Sequence, residues 1–129
     1  MELVPIATDA APAAIGPYSQ AIRAGGWLHC SGQIALAPGG AELVGAGDVA
    51  AEARQALTNL RAVLEAGGAG LDRVVKATVY LVDMADFPRV NAVYEEFFAD
   101  HRPARACVAV AALPKGARVE VDAVAALAS

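Results

Sequence analysis

Two amphipathic helical segments interrupt a series of short apolar strand segments, and few folds accommodate that pattern. From Asp48, a favourable N-cap, apolar residues recur at helical spacing until Gly67-Gly68 ends the segment. Asp86 can cap a second helix, whose apolar stripe ends before Pro103. Because each helix is apolar on one face only, both are expected to pack on one face of a sheet.

The remaining apolar segments predict the strands of that sheet. The Gly25-Gly26 pair predicts a tight hairpin turn, because glycine tolerates positive φ. The turn-prone stretch at residues 113–116 predicts a second hairpin near the end of the chain. From the first hairpin onward the order is β, β, α, β, α, β, β, which predicts one α+β domain over residues 1–129. The predicted strands cover residues 3–8, 19–24, 27–32, 74–82, 104–110 and 118–126.

The last hairpin predicts a cluster of reactive and charged side chains. Alignment of the apolar positions in its strands places Cys107 opposite Glu120 and Arg105 opposite Asp122. Arg105, Cys107 and Glu120 then share the face of the sheet that the helices leave uncovered. One interpretation is a solvated cross-strand charge pattern without chemistry. The other is a binding site in which an arginine, a thiol and a carboxylate meet.

Composition narrows the classes of function. Apolar residues make up 57% of the chain, yet their runs are too short for a membrane span, so a surface buried between subunits is favoured. The formal net charge of -4 offers no basic footprint for nucleic acid or for an anionic membrane. Residues 1–5 lack the pattern of a secretory signal, which predicts a cytoplasmic protein.

The cysteines and histidines predict neither a disulfide nor a metal site. Cys30 and Cys107 have a spacing that matches no zinc motif, and a single bridge would be unusual in a reducing cytosol. Both are expected to be free thiols. His29 and His101 lack further ligands at a suitable spacing, so no metal is expected.

Longer motifs are spread through nearly the whole chain, from about Ala11 to Ala125. They are residues 15–20 (IGPYSQ), 31–34 (SGQI), 75–81 (VKATVYL), 87–98 with Val90-Asn91, and 103–107 (PARAC) followed by 113–116 (LPKG) and 119–121 (VEV). In these motifs the sequence resembles the RidA family, the reactive imine deaminases. The resemblance implies a chorismate-mutase-like fold, a homotrimer, and active sites in the clefts between subunits.

The resemblance also implies an activity. It is the hydrolysis of reactive 2-imino or enamine acids, namely 2-aminoacrylate, 2-iminopropanoate and 2-iminobutanoate, to 2-keto acids and ammonia. No cofactor and no metal are implied, and pyridoxal-phosphate-dependent dehydratases would supply the substrates. The residues that match the family's site are Arg105, Cys107, Glu120, Tyr18, Ser31, Gly32 and Asn91.

Three of these residues have predicted roles in the chemistry. Arg105 offers a planar fork that can hold an α-carboxylate. Glu120 can deprotonate a water that attacks the C=N carbon and then return a proton to the nitrogen, although a neighbouring arginine is expected to lower its pKa. Tyr18 can hydrogen-bond the water or the imine nitrogen, and the alternative is a core aromatic.

The other matched residues are expected to bind rather than react. Cys107 has no histidine placed to activate it, so a thiol that lines the pocket is favoured over a nucleophile. Gly32 is expected beside the ligand. Ser31 and Asn91 serve either the pocket or local backbone hydrogen bonds.

Two other functions are also compatible with the sequence. A non-enzymatic regulatory trimer would use Arg105 to bind small carboxylates without releasing ammonia. RNA cleavage or inhibition of translation is a further alternative, which the acidic charge and the lack of a basic-aromatic stripe disfavour.

Overall fold

The computed structural model describes residues 1–128. Its helices are α1 (Val49–Ala66) and α2 (Phe87–Phe97), and its strands are β1 (Leu3–Ile6), β2 (Ala21–Ala24), β3 (Trp27–Gln33), β4 (Val74–Leu81), β5 (Ala104–Ala109) and β6 (Val119–Ala126). The strands form one mixed sheet in the order β1-β2-β3-β6-β4-β5. Both helices pack on the same face, which confirms the predicted α+β class.

The core lies between the helices and that face of the sheet. Leu57, Leu60 and Leu64 of α1 are almost fully buried, together with Leu28 of β3 and Val121 of β6. Burial of such side chains contributes about 1.5–3 kcal/mol each, and it fixes which face each strand turns inward. Among the helices of residues 1–128, none has the length and apolar character needed to cross a membrane.

The starts of both helices and the first hairpin lie where the sequence predicts them, although the predicted cap of α2 does not form. Asp48 caps α1, because its carboxylate accepts the backbone N–H groups of Ala50 and Ala51. β2 and β3 form the predicted hairpin, with Gly25 at a φ of 58°. Asp86 precedes α2 but makes no side-chain capping bond. Its buried carboxylate instead accepts from Arg118 at 3.1 Å.

The predicted hairpin between the last strands is wrong. β5 pairs in parallel with β4 and forms an edge of the sheet, whereas β6 lies between β3 and β4 and pairs antiparallel with both. The physical reason is the crossover from β4 through α2, which returns the chain parallel to β4. The turn at residues 113–116 exists, but it carries the chain past β4 rather than back onto β5.

This topology overturns the predicted shared face. Residues that pair across neighbouring strands point to the same side of a sheet. Arg105 pairs with Ala77, which is buried beneath the helices, whereas Glu120 pairs with Tyr80 on the other face. Cys107 lies on the helix side with Arg105. The register error reflects the fact that local alternation gives a strand's faces but not its partner.

Candidate active site

The predicted site residues form separate clusters on opposite faces of the sheet. The arginine cluster comprises Arg105 and Cys107 on β5 with Phe87, Asn91 and Tyr94 on α2. The glutamate pocket comprises Tyr18, Ser31, Gly32, Lys115 and Glu120, on β3, β6 and the loops beside them. Within one protomer the structure therefore brings together the members of each cluster but does not bring Arg105 to Glu120.

The glutamate pocket is a cavity of about 530 Å³. Polar residues and apolar side chains both line it, and the apolar ones include Ile15, Ile34, Leu36 and Pro114. A cavity of this size and mixed lining is suited to a small organic molecule with few polar groups.

Glu120 is half-buried in this pocket and lies directly against Gly32. A Cβ atom at Gly32 would overlap Oε2 of Glu120, so the close approach requires glycine. Burial raises the pKa of Glu120, and the negative charge of Asp122 raises it further. The expected lowering of this pKa by arginine is wrong for the protomer, because Arg105 lies on the opposite face of the sheet. A carboxylate with a raised pKa is a stronger base once ionised.

Asp122 is held on the same face by Tyr80. The Tyr80 hydroxyl donates to Oδ2 of Asp122 at 2.8 Å. This hydrogen bond, followed by burial and charge, raises the pKa of Tyr80. The alternative partnership between Arg105 and Asp122 is therefore absent from the described residues 1–128, since Asp122 points away from Arg105.

Tyr18 lies in a loop, as the Gly16-Pro17 pair indicates. Its side chain is 53% exposed and lines the glutamate pocket, so it is not a core aromatic. Gly16 has a φ of 127°, a conformation that favours glycine, and the chain turns there toward Tyr18. The loop thus presents the phenol to the cavity.

Ser31 fixes that loop to the sheet. Its hydroxyl donates to the Ser19 carbonyl at 2.6 Å, and its backbone N–H donates to the Gln20 carbonyl at 2.9 Å. Of the roles considered for Ser31, the local backbone bond is therefore present, and the residue also lines the pocket.

Gln20 is a residue that sequence reasoning did not single out. It is 3% exposed, and its side-chain oxygen accepts the backbone N–H of Thr8 at 2.7 Å. Its side-chain nitrogen donates to the carbonyls of Thr8 and Pro12. Gln20 therefore anchors the segment that forms one wall of the pocket, and its place in the IGPYSQ motif was the available signal.

Arg105 is held by α2 without a salt bridge. Its Nη1 donates to Oδ1 of Asn91 at 2.7 Å. Its guanidinium carbon lies 4.8 Å from the ring centre of Tyr94 and 5.4 Å from that of Phe87. Within residues 1–128, no carboxylate is paired with Arg105. Several N–H donors of a positive group thus stay available to an anion.

The thiols are poor nucleophiles in this fold. Burial raises the pKa of Cys30 to about 12, with a smaller contribution from Asp122. Burial also raises the pKa of Cys107, and Arg105 only partly opposes it. Both cysteines are free, as predicted, and Cys107 packs against the core beside Arg105. Cys107 is therefore suited to a packing or lining role.

Lys115 also lines the glutamate pocket, although sequence reasoning gave it no role. It has a φ of 59°, the left-handed conformation that favours glycine, and it lies between Pro114 and Gly116. The turn motif signalled the backbone shape but not the place of Lys115 in the lining of the glutamate pocket. Across residues 1–128, the structure contains no group of three or more His, Cys, Asp or Glu residues that could hold a metal ion.

Comparison with known proteins gives consistent matches over most of the chain. The family model described as endoribonuclease L-PSP matches residues 8–127. A Bos taurus protein named 2-iminobutanoate/2-iminopropanoate deaminase is 52% identical over 93% of this chain and 87% of its own. The Escherichia coli protein of the same name is 49% identical over 93% and 94% of the respective chains. The solved structure of Escherichia coli TdcF with bound serine has a TM-score of 0.91 at 39% identity, covering 97% of this chain and 99% of that one.

Proposed function

Because this chain belongs to the RidA family, which the endoribonuclease L-PSP model describes, we propose that it hydrolyses 2-imino acids to 2-keto acids and ammonia. The names of the curated relatives state this class of activity and support 2-iminopropanoate and 2-iminobutanoate as substrates, with 2-aminoacrylate as the enamine precursor of the former. The observation that carries the proposal is the pair of opposite, uncompensated charges: Arg105 without a carboxylate and Glu120 with a raised pKa.

The proposed reaction begins with two separate tasks. The Arg105 guanidinium binds the substrate carboxylate through parallel N–H donors, which orients the C=N bond. Ionised Glu120 accepts a proton from water as the water oxygen bonds to the imine carbon, and the C=N electron pair moves to nitrogen, which takes that proton from Glu120. The product of this step is a tetrahedral carbinolamine.

Collapse of the carbinolamine completes the balance. The carbinolamine hydroxyl gives its proton to Glu120 as C=O forms, Glu120 passes this proton to the nitrogen, and the C–N bond breaks with its electron pair on the departing ammonia. One imino acid and one water thus give one keto acid and one ammonia. Tyr18, which borders the same cavity, is suited to hydrogen-bond the water or the leaving nitrogen. Gly32 leaves room for the carboxylate of Glu120, while Cys107, Ser31 and Asn91 support the surrounding walls.

The proposed active unit is a homotrimer, since one protomer does not join the clusters. In a cyclic assembly the arginine cluster of one copy can face the glutamate pocket of the next, which completes one site at each interface. The sheet face opposite the helices carries exposed apolar side chains such as Val108, which is 41% exposed, and these support burial against another copy. Sedimentation at micromolar concentration tests the assembly, and a stable monomer with full activity would contradict it.

The proposed place of the enzyme is beside pyridoxal-phosphate-dependent dehydratases in the cytoplasm. Such dehydratases release an enamine that tautomerises to the imine. The reaction that we propose then removes a reactive intermediate that water alone hydrolyses more slowly. No direct contact with the dehydratases is required, because the substrate is a diffusible small molecule.

RNA cleavage is a competing hypothesis, because the family model carries the description of an endoribonuclease. RNA binding requires several Lys or Arg side chains along a phosphate path. The net charge of -4 disfavours such a path, and the glutamate pocket is lined by a single lysine together with a glutamate. A salt-dependent RNA cleavage by this protein, without any imine hydrolysis, would favour the competitor.

A coupled assay tests the proposed function directly. A dehydratase acts on serine or threonine, and keto acid formation is followed with and without this protein. We expect faster keto acid release with the wild-type protein and no acceleration with Arg105→Ala. Binding of keto acids without any acceleration by the wild-type protein would instead identify a non-enzymatic carboxylate-binding trimer.

A further inference from the structure

A stripe along α2 surrounds the guanidinium of Arg105. Phe87, Asn91 and Tyr94 recur at the spacing that places side chains on one face of a helix. All three contact Arg105: the amide accepts a hydrogen bond and the two rings lie within 5.4 Å of the guanidinium carbon. A guanidinium over aromatic faces is stabilised by the ring quadrupoles without use of its N–H donors.

We propose that Phe87 and Tyr94 are positioning residues for the substrate-binding arginine, and that their rings, rather than a carboxylate, hold its charge in place. The proposal rests on the proposed function, since it assumes that Arg105 binds the substrate carboxylate. A carboxylate partner would fix Arg105 equally well, but it would occupy the donors that the substrate needs. Aromatic rings fix the side chain and leave those donors free.

Other arginines of the chain provide a comparison for this arrangement. Arg54, Arg89, Arg102 and Arg118 each pair with a carboxylate. Arg61 provides the useful parallel, because its guanidinium carbon lies 5.3 Å from the Phe97 ring, and neither residue lines the recess that contains Arg105 and Tyr94. Phe97 and Phe87 are both half-buried, and both pack against the core.

Tyr94 adds an independent observation. Its ring stacks on Phe98 at 4.6 Å between centroids, which fixes its plane beneath Arg105. Its hydroxyl is buried and has no hydrogen-bond partner among residues 1–128. A buried hydroxyl without a partner lowers stability, so the ring and not the hydroxyl accounts for the contact with Arg105.

The test compares Phe87→Leu and Tyr94→Leu with the matched control Phe97→Leu. Loss of either ring is expected to raise KM for the imino acid about five- to tenfold, with kcat changed by less than about threefold, because an unfixed arginine binds the carboxylate less well. The dissociation constant of propionate, a carboxylate without the imine, is measured directly by titration calorimetry and is expected to rise in parallel, while neutral propionamide serves as the blank. Phe97→Leu should leave both constants unchanged.

Conservative and double variants separate positioning from general damage. Tyr94→Phe keeps the ring and should recover KM to within about threefold of wild type while raising the melting temperature. In an Arg105→Ala background, Phe87→Leu should change propionate binding by less than about twofold, because the positioned group is gone. Equal effects of Phe87→Leu and Phe97→Leu, or a full Phe87→Leu effect without Arg105, would overturn the proposal. If wild type itself lacked imine hydrolysis, the proposed function would fail instead, whereas the propionate measurements would still decide the role of the rings.

Discussion

The arginine cluster is built on a helix and an edge strand, whereas the glutamate pocket is built from loops that meet two inner strands. In the cluster, hydrogen bonding and aromatic faces hold a positive charge and leave its donors free. In the pocket, burial and Asp122 disfavour a negative charge. The difference teaches that each half favours a ligand of opposite character: an anion at Arg105, and a proton or a polarised water at Glu120.

Replacement of the base tests the pocket side of this comparison most severely. Glu120→Gln keeps the shape but cannot take a proton, so we expect kcat to fall on the order of 1,000-fold. The coupled assay measures this loss. Activity within tenfold of wild type would mean that another group handles the water.

The same variant also has an expected effect on stability. Because the folded-state pKa of Glu120 is raised, ionisation of this group lowers stability as pH rises from the ordinary glutamate range through the raised pKa. Glu120→Gln should therefore melt at a higher temperature than wild type at neutral pH, and the gain should vanish in acid. A lower melting temperature at neutral pH would show that the assembled protein pairs the Glu120 charge.

Gly32→Ala sharpens the comparison by moving the carboxylate without removing it. The new methyl group must displace the flexible end of Glu120, which costs little stability but shifts the base by about 1 Å or more. A displacement of that size is expected to reduce activity about 100-fold. Gly26→Ala is the control, because a Cβ there contacts nothing within 4 Å. Similar losses in both variants would indicate a general glycine effect.

Arg105→Lys tests the cluster side. Lysine keeps the charge but supplies a point donor, so one charge-assisted hydrogen bond and its alignment are lost. We expect a cost of about 2–3 kcal/mol in kcat/KM, or about 30- to 150-fold, with melting nearly unchanged. A change in kcat/KM below twofold would mean that Arg105 is an ordinary surface cation that does not hold the substrate carboxylate.

The sequence predicted the helices and strands of the fold more accurately than it predicted which strands pair. Helical periodicity and the Gly25-Gly26 turn predicted α1, α2 and the first hairpin, because these signals are local. The insertion of β6 between β3 and β4 is a contact between distant segments, and alternation within a strand does not encode its neighbour.

Prediction of the site from the sequence was limited for the same reason, because the sequence does not give the order of the strands. The motifs supplied Arg105, Glu120 and Tyr18, but the faces that they occupy depend on the sheet order. The raised pKa of Glu120 likewise could not be predicted. It arises from burial and from Asp122, and Arg105 does not oppose it because Arg105 lies on the other face of the sheet. The aromatic residues around Arg105 belong to the apolar stripe of α2, and nothing in the sequence indicated that their rings contact an arginine.

The smallest expected effect comes from Asp122→Asn, which changes the charge beside Glu120 and leaves its burial intact. Asparagine retains an oxygen that can accept the Tyr80 hydroxyl, so the local geometry should persist. Since Asp122 is the lesser of the causes that raise the pKa of Glu120, that pKa should fall but remain above its ordinary value. The acid limb of the kcat/KM profile should therefore move to lower pH, while the plateau changes by less than about threefold, because a slightly weaker base still works when ionised.

The pKa of Tyr80 should fall as well, and an ultraviolet titration of the phenol provides an independent sign that the substitution acted on this face. Asp100→Asn, at an exposed position, is the control and should shift neither titration. An acid limb that stays in place while the Tyr80 titration moves would show that the group titrating in the reaction is not Glu120.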